Sequence, residues 1–131
     1  MSTKWTPNDQ VRELILHHGG QIRKWTAITL YDTTQFLLDE NWWRLGITIN
    51  KTCILFNPKI LNYSIRTQAE DIFHELTHEA QYLDYGWVGF IGTYIGQWIR
   101  SGFSYDKMKN IGLEKEAIAN ATKFRNSFTG A

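Results

Sequence analysis

The segment His74-Glu75-Leu76-Thr77-His78 constrains this chain more than any other, because its three polar residues make joint chemical sense only on an α-helix. Residues four apart share a helix face, so two imidazoles at this spacing can close on one metal ion. The Zn–N bonds of such a site are about 2.0–2.1 Å long. Glu75 then lies beside the metal, where its carboxylate can take a proton from a water that zinc acidifies to a pKa of about 7. The flanking residues supply a helix. Thr67-Gln68-Ala69-Glu70 reads as a capping box, Ala69, Ile72, Phe73, Leu76, Ala80 and Leu83 recur at helical spacing, and Gly86 offers a stop. The spacing predicts a helix from Gln68 to Tyr85. The plain alternative is an amphipathic helix carrying two histidines with a solvated glutamate between them.

A catalytic zinc takes three protein ligands and keeps a fourth position open, so a further ligand is needed. Three residues compete for the place. Asp84 sits where the extended motif H-E-x-x-H-x-x-G-x-x-H or -D has its third ligand, but that pattern turns on a glycine where this chain has Gln81. A helix that continues carries Asp84 about 240° around the axis from His78. The stretch Leu113-Glu114-Lys115-Glu116-Ala117 offers two carboxylates from a separate helix. Glu114 shares a face with Ile111, Ala117, Ile118 and Ala121, the side expected to pack inward, and is favoured as the third ligand. Glu116 shares a face with Asn120 and Lys123 and reads as a solvated surface charge. His17 and His18 read as last-turn residues favoured by a helix dipole, with no partner at ligand spacing.

With 131 residues, 43% of them hydrophobic, the chain can bury a core as one domain spanning 1–131. The expected class is α+β, a small antiparallel or mixed sheet packed on the motif helix, with a C-terminal helix bearing the glutamate. Thr6, Pro7 and Asp9 predict a helix over Pro7–His18 whose inward stripe is Val11, Leu14, Ile15 and His18. Ile22 to Tyr31 is β-branched and aromatic and predicts a strand. Residues 32–43 show no clear period. Leu45–Ile49 and Thr52–Phe56 predict a hairpin joined at Asn50-Lys51. The stretch Trp87–Ile99 reads as a helix packed on the core, its large apolar residues on one broad face and its glycines mainly opposite. It is too short for the roughly 20 residues of a bilayer span, and its functional alternatives are a membrane-surface or partner contact or a wall of a substrate cleft. Ser104 to Asn110 reads as a loop, and Leu113 to Phe128 as a last helix.

A net charge of +1, with no long run of either sign, excludes a phosphate-binding footprint, so nucleic acid is not an expected partner. Cys53 is the only cysteine; it can form no intrachain disulfide, and its neighbours Ile54-Leu55-Phe56 predict a buried thiol. Met1 to Pro7 lacks the apolar stretch of a secretory signal, which predicts a cytoplasmic protein whose export would need another route. Oligomeric state is not encoded in any visible pattern.

Taken in order, Leu45-Gly46-Ile47-Thr48-Ile49, Ile54-Leu55-Phe56-Asn57-Pro58, His74-Glu75-Leu76-Thr77-His78-Glu79-Ala80-Gln81-Tyr82, Gly86, Phe90, Tyr94, Gly102-Phe103 and Leu113-Glu114-Lys115-Glu116-Ala117 resemble the small bacterial DUF4157-like metallopeptidases over residues 44–120. The resemblance implies a gluzincin-type domain in which the strand ending at Phe56 borders the cleft, His74, His78 and Glu114 hold zinc, and Glu75 is the base. Glu79 departs from the apolar residue usual after the second histidine, and Asn110-Ile111-Gly112 from the usual Asn-Pro before the glutamate. The expected function is zinc-dependent hydrolysis of a peptide or protein substrate, with Tyr105 as the candidate that steadies the oxyanion. The competing expectation is a non-catalytic module in which zinc ties two helices together and the Trp87–Ile99 surface binds a partner, in keeping with family members that accompany injection systems or toxins.

Overall fold

The computed structural model describes residues 2–18, 27–50, 52–104, 107 and 112–128. Its fold is α+β. A strand β1 (Thr3–Trp5) leads to helix α1 (Asp9–His18), then α2 (Ala27–Thr33), β2 (Gln35–Leu38), β3 (Gly46–Asn50) and β4 (Cys53–Phe56). A short 3-10 helix at Pro58–Asn62 precedes α3 (Ile65–Arg100), and α4 (Gly112–Phe128) closes the described chain.

The four strands form one mixed sheet in the order β1-β2-β4-β3. The β3–β4 pair is the expected antiparallel hairpin, with an irregularity between Thr48 and Asn50, while β2 and β4 run parallel and β1 adds to β2 antiparallel. β3 is therefore an edge strand and β4 an inner one, and it is β3 whose Thr48 side chain reaches Glu75 of the motif helix. Ile54 and Phe56 point into a core shared with Val11 and Ile15 of α1 and Ala69, Ile72, Phe73, Leu76 and Ala80 of α3. Cys53 at the start of β4 is only half-buried, since its strand begins at the sheet rim.

Several helix boundaries move for local reasons. Asn8, not Thr6, caps α1: its side-chain oxygen accepts from Gln10 N at 2.8 Å, and Pro7 is buried just outside the helix. Ser64 caps α3 by accepting from Thr67 N at 3.2 Å, so the helix starts three residues before the expected box. Gly86 does break the helix, with φ 73° and ψ 166°, but the chain turns there and resumes a helix at once, giving two segments, 65–85 and 87–100. Only a residue without Cβ takes that conformation cheaply, which is why the bend falls there.

The strand expected over Ile22–Tyr31 is not found. Residues 22–26 lie outside the described ones, and Ala27–Thr33 is helical, with adjacent Leu30 and Tyr31 both buried against α1 and α3, a pattern that a strand's alternation would not produce. β-propensity is the weaker influence where packing decides. The strand falls instead at Gln35–Leu38. The 87–100 segment is a helix, yet its apolar residues surround it: Phe90 is buried while Val88, Ile95 and Ile99 face outward with the glycines. Leu83, expected inward, is exposed as well. Among the described residues no helix is long and apolar enough to cross a membrane.

Candidate metal centre

His74 and His78 occupy successive turns of α3 and direct their rings to one side, where α4 delivers Glu114. His74 Nε2 lies 2.9 Å from Glu114 Oε1 and His78 Nε2 lies 3.2 Å from Glu114 Oε2. Among the described residues these three form the one group of histidine, cysteine or carboxylate donors close enough to hold a single ion, with donor atoms within 4.8 Å of one another. Two donors on a tetrahedral zinc sit about 3.3 Å apart, so the group could hold such an ion once its donors draw together. Two imidazoles and one carboxylate supply three donors, one fewer than a tetrahedral ion takes.

The last helix is fixed in place from several sides. Phe124 stacks on Phe73 with centroids 4.4 Å apart, and Arg125 meets Glu70 at 2.8 Å. At the other end of α4, Gln97 Oε1 accepts from Leu113 N at 3.0 Å, which satisfies a first-turn amide that has no partner within the helix. Gly112 begins α4 at φ 54°, and a Cβ there would run into the Gln97 carboxamide. Leu113 packs with Tyr82 and Phe90, so Glu114 enters the site from a turn that is both capped and buried. Ala117 and Ala121 line the same inward face, as the sequence pattern predicts.

Glu75 stands beside the histidines, its Oε2 3.9 Å from His74 Nε2. Thr48 of β3 reaches it twice, with Oγ1 2.8 Å from Glu75 Oε1 and 2.9 Å from the Glu75 carbonyl oxygen. The side chains of His78 and Glu114 are 7% and 4% exposed against 18% for His74 and 11% for Glu75, so the centre opens on the His74–Glu75 side. The closed side is aromatic: Phe90 and Tyr94 meet the His78 ring edge-on at 6.1 and 6.3 Å, and Tyr82 stacks on Phe90. Tyr82 also donates to the Ile49 carbonyl at 3.2 Å, tying α3 to the edge strand.

Electrostatics favour a filled or fully paired centre. Burial alone would lower the His78 pKa, but its hydrogen bond to Glu114 and the charges of Glu75 and Glu114 outweigh that and raise it to about 9. Burial pushes the Glu114 carboxyl up, and the two histidines more than reverse this, holding it well below the usual carboxylate range. Without metal, a proton on His78 balances the buried Glu114 carboxylate, and a divalent cation would take its place. Beside the centre, burial raises Asp71 to about 7 and Glu79 to about 8, the negative charge of Glu75 adding to both and the Thr34 hydroxyl opposing the shift at Glu79.

Sequence reasoning identified His74, Glu75, His78 and Glu114, and the structure brings all four together. Asp84 is exposed on the outer side of α3 and stays apart from them. Glu116 is exposed as expected, but it is not merely solvated: Gln81 Nε2 donates to its Oε1 at 2.8 Å. His17 pairs with Glu13 on the outer face of α1 at 3.1 Å, and neither His17 nor His18 joins the group. Tyr105 and Ile111 lie outside the described residues. Thr48, Gln81 and Gln97 were missed. Gln81 carried a signal, being three residues past His78 and thus on its face, whereas Thr48 and Gln97 reach the centre only through tertiary packing. No family model, curated protein or solved structure matches the chain.

Proposed function

We propose that the protein is a zinc-dependent peptidase of the small gluzincin type, allied to the DUF4157-like metallopeptidases that its sequence resembles. The observation that carries this reading is the convergence of His74, His78 and Glu114 with the Glu75 carboxylate beside them on the open side. A zinc ion held by the three would polarise a peptide carbonyl and acidify a water. The same donors also suit iron(II). Glu75 favours zinc, because hydrolysis uses an adjacent base.

In this mechanism Glu75 accepts the proton of the attacking water and returns it to the departing amine. Thr48 keeps one carboxylate oxygen engaged, which leaves the other, 3.9 Å from His74 Nε2, to handle the proton. The aromatic wall of Phe90 and Tyr94 excludes water from the His78 side and strengthens the local electrostatics. β3 supplies a place for an extended substrate, since an edge strand offers unpaired main-chain groups and Thr48 links this one to the base.

The test is digestion of a peptide library by the zinc-loaded protein, read by mass spectrometry, with Glu75→Gln as control. Cleavage by the wild type that disappears in a zinc-retaining Glu75→Gln supports the reading. Zinc-loaded wild type that cleaves nothing favours the module instead, in which the metal ties α3 to α4 and the outward Val88, Ile95 and Ile99 meet a partner.

A further inference from the structure

Gln81 is fully buried, and its carboxamide is engaged at both ends. The oxygen lies 2.8 Å from His78 Nδ1; the nitrogen lies 3.0 Å from the Leu113 carbonyl oxygen and 2.8 Å from Glu116 Oε1. An amide turned end for end keeps its shape, so its neighbours decide which end is which. Here they decide it without ambiguity. A carbonyl oxygen and a carboxylate accept and do not donate, so both must face the NH2 group. The amide oxygen is left facing the imidazole, and it accepts only if Nδ1 carries a proton. Nε2, 3.2 Å from Glu114 Oε2, is then the nitrogen that gives up its proton to a metal.

We infer that Glu116 and Gln81 form a relay that sets the tautomer and rotation of His78 from the outer side of α4, making both of them positioning residues for the metal centre. The inference rests on the metal-binding reading of His74, His78 and Glu114. Glu116 lies outside the donor group yet would act on a bound ion, because Leu113 and Glu116 together orient the Gln81 amide and the amide orients the ring. Partners of this kind, which hold the second nitrogen of a metal-bound histidine, typically contribute about 10–100-fold to affinity. The relay also joins two events. Glu114 and Leu113 are neighbours in the first turn of α4, so a bound ion would hold that turn through one residue while Gln81 holds it through the next.

Zinc affinity of the full chain, measured by competition with a chromogenic chelator, tests the relay. Gln81→Met keeps the length and removes both polar ends; Gln81→Glu keeps the shape but sets an acceptor against two acceptors. Each is expected to weaken zinc by about 10–100-fold. Glu116→Ala removes the acceptor and is expected to weaken zinc by about tenfold, and Glu116→Gln, which still presents an amide oxygen, is expected to recover most of that loss, the rescue that a requirement for an acceptor predicts. Nitrogen-15 NMR of the zinc-loaded wild type supplies a readout that helix packing alone would not move. The His78 ring should bind through Nε2 and show a slowly exchanging Nδ1 proton, which exchanges fast in Gln81→Met while His74 is unchanged. His78 bound through Nδ1 in the wild type, or variants at Gln81 that hold zinc as tightly as wild type, would overturn the relay alone. A wild-type chain that binds no zinc would overturn the metal reading and the relay with it.

Discussion

Thr48 Oγ1 lies 2.8 Å from Glu75 Oε1, so the hydroxyl of an edge strand holds the carboxylate that stands beside two histidines. The contact joins sheet to helix at the one place where proton transfer is proposed. It sets the direction of the carboxylate that is proposed as the base.

Removing this hydroxyl is expected to act on turnover more than on binding. Glu75→Gln should lower kcat by about 10²–10⁴, the range for a lost general base, while keeping zinc. Thr48→Val, which keeps the buried volume, should lower kcat by about tenfold with KM little changed, and Thr48→Ser should recover most of the loss. Steady-state kinetics on a peptide identified by library cleavage checks this; equal kcat in Thr48→Val and wild type would remove Thr48 from the mechanism.

Gly112 is expected to resist substitution. Its φ of 54° disfavours any side chain, and a Cβ would displace the Gln97 carboxamide that caps α4. Gly112→Ala should cost about 1–3 kcal/mol in urea unfolding and weaken zinc as well, since Glu114 sits one residue past the capped amide. Unchanged stability would mean that this cap contributes nothing.

Glu79 links pH to stability. Its carboxyl is fully buried, Oε2 has no hydrogen-bond partner among the described residues, and its pKa is raised from 4.5 to about 8. Between those values the folded chain keeps a proton that the unfolded chain has lost. Stability from this group is therefore complete below about pH 4.5 and declines as pH rises to about 8, by up to about 1.4 kcal/mol per unit. Glu79→Gln, which stays neutral, should flatten that decline and be the more stable form at pH 8. Parallel wild-type and variant curves across this window would refute the assignment.

What could be seen in the sequence follows from which interactions are local. His74, Glu75 and His78 belong to one helix, and their spacing alone places them together. Glu114 was legible because its neighbours Ala117 and Ala121 mark the inward face of a second helix. The strand misplaced onto Ile22–Tyr31 shows the opposite case: Leu30 and Tyr31 have β-favouring neighbours, yet burial against α1 and α3 makes them helical. Thr48 approaches Glu75 from a strand 27 residues earlier, a register that no periodicity reports. Gln81 stood in plain view on the His78 face but entered only as the residue replacing a glycine, since its second partner, Glu116, lies on another helix.

The most direct test of the metal centre is zinc binding by wild type and by Glu114→Ala, measured by competition with a chromogenic chelator and paired with metal analysis for stoichiometry. The predicted result is one zinc per wild-type chain, with affinity lowered at least about 100-fold in Glu114→Ala because a buried ligand and its charge are lost together. A wild-type chain that takes up no zinc, or a Glu114→Ala chain that holds it as tightly as wild type, would contradict the account.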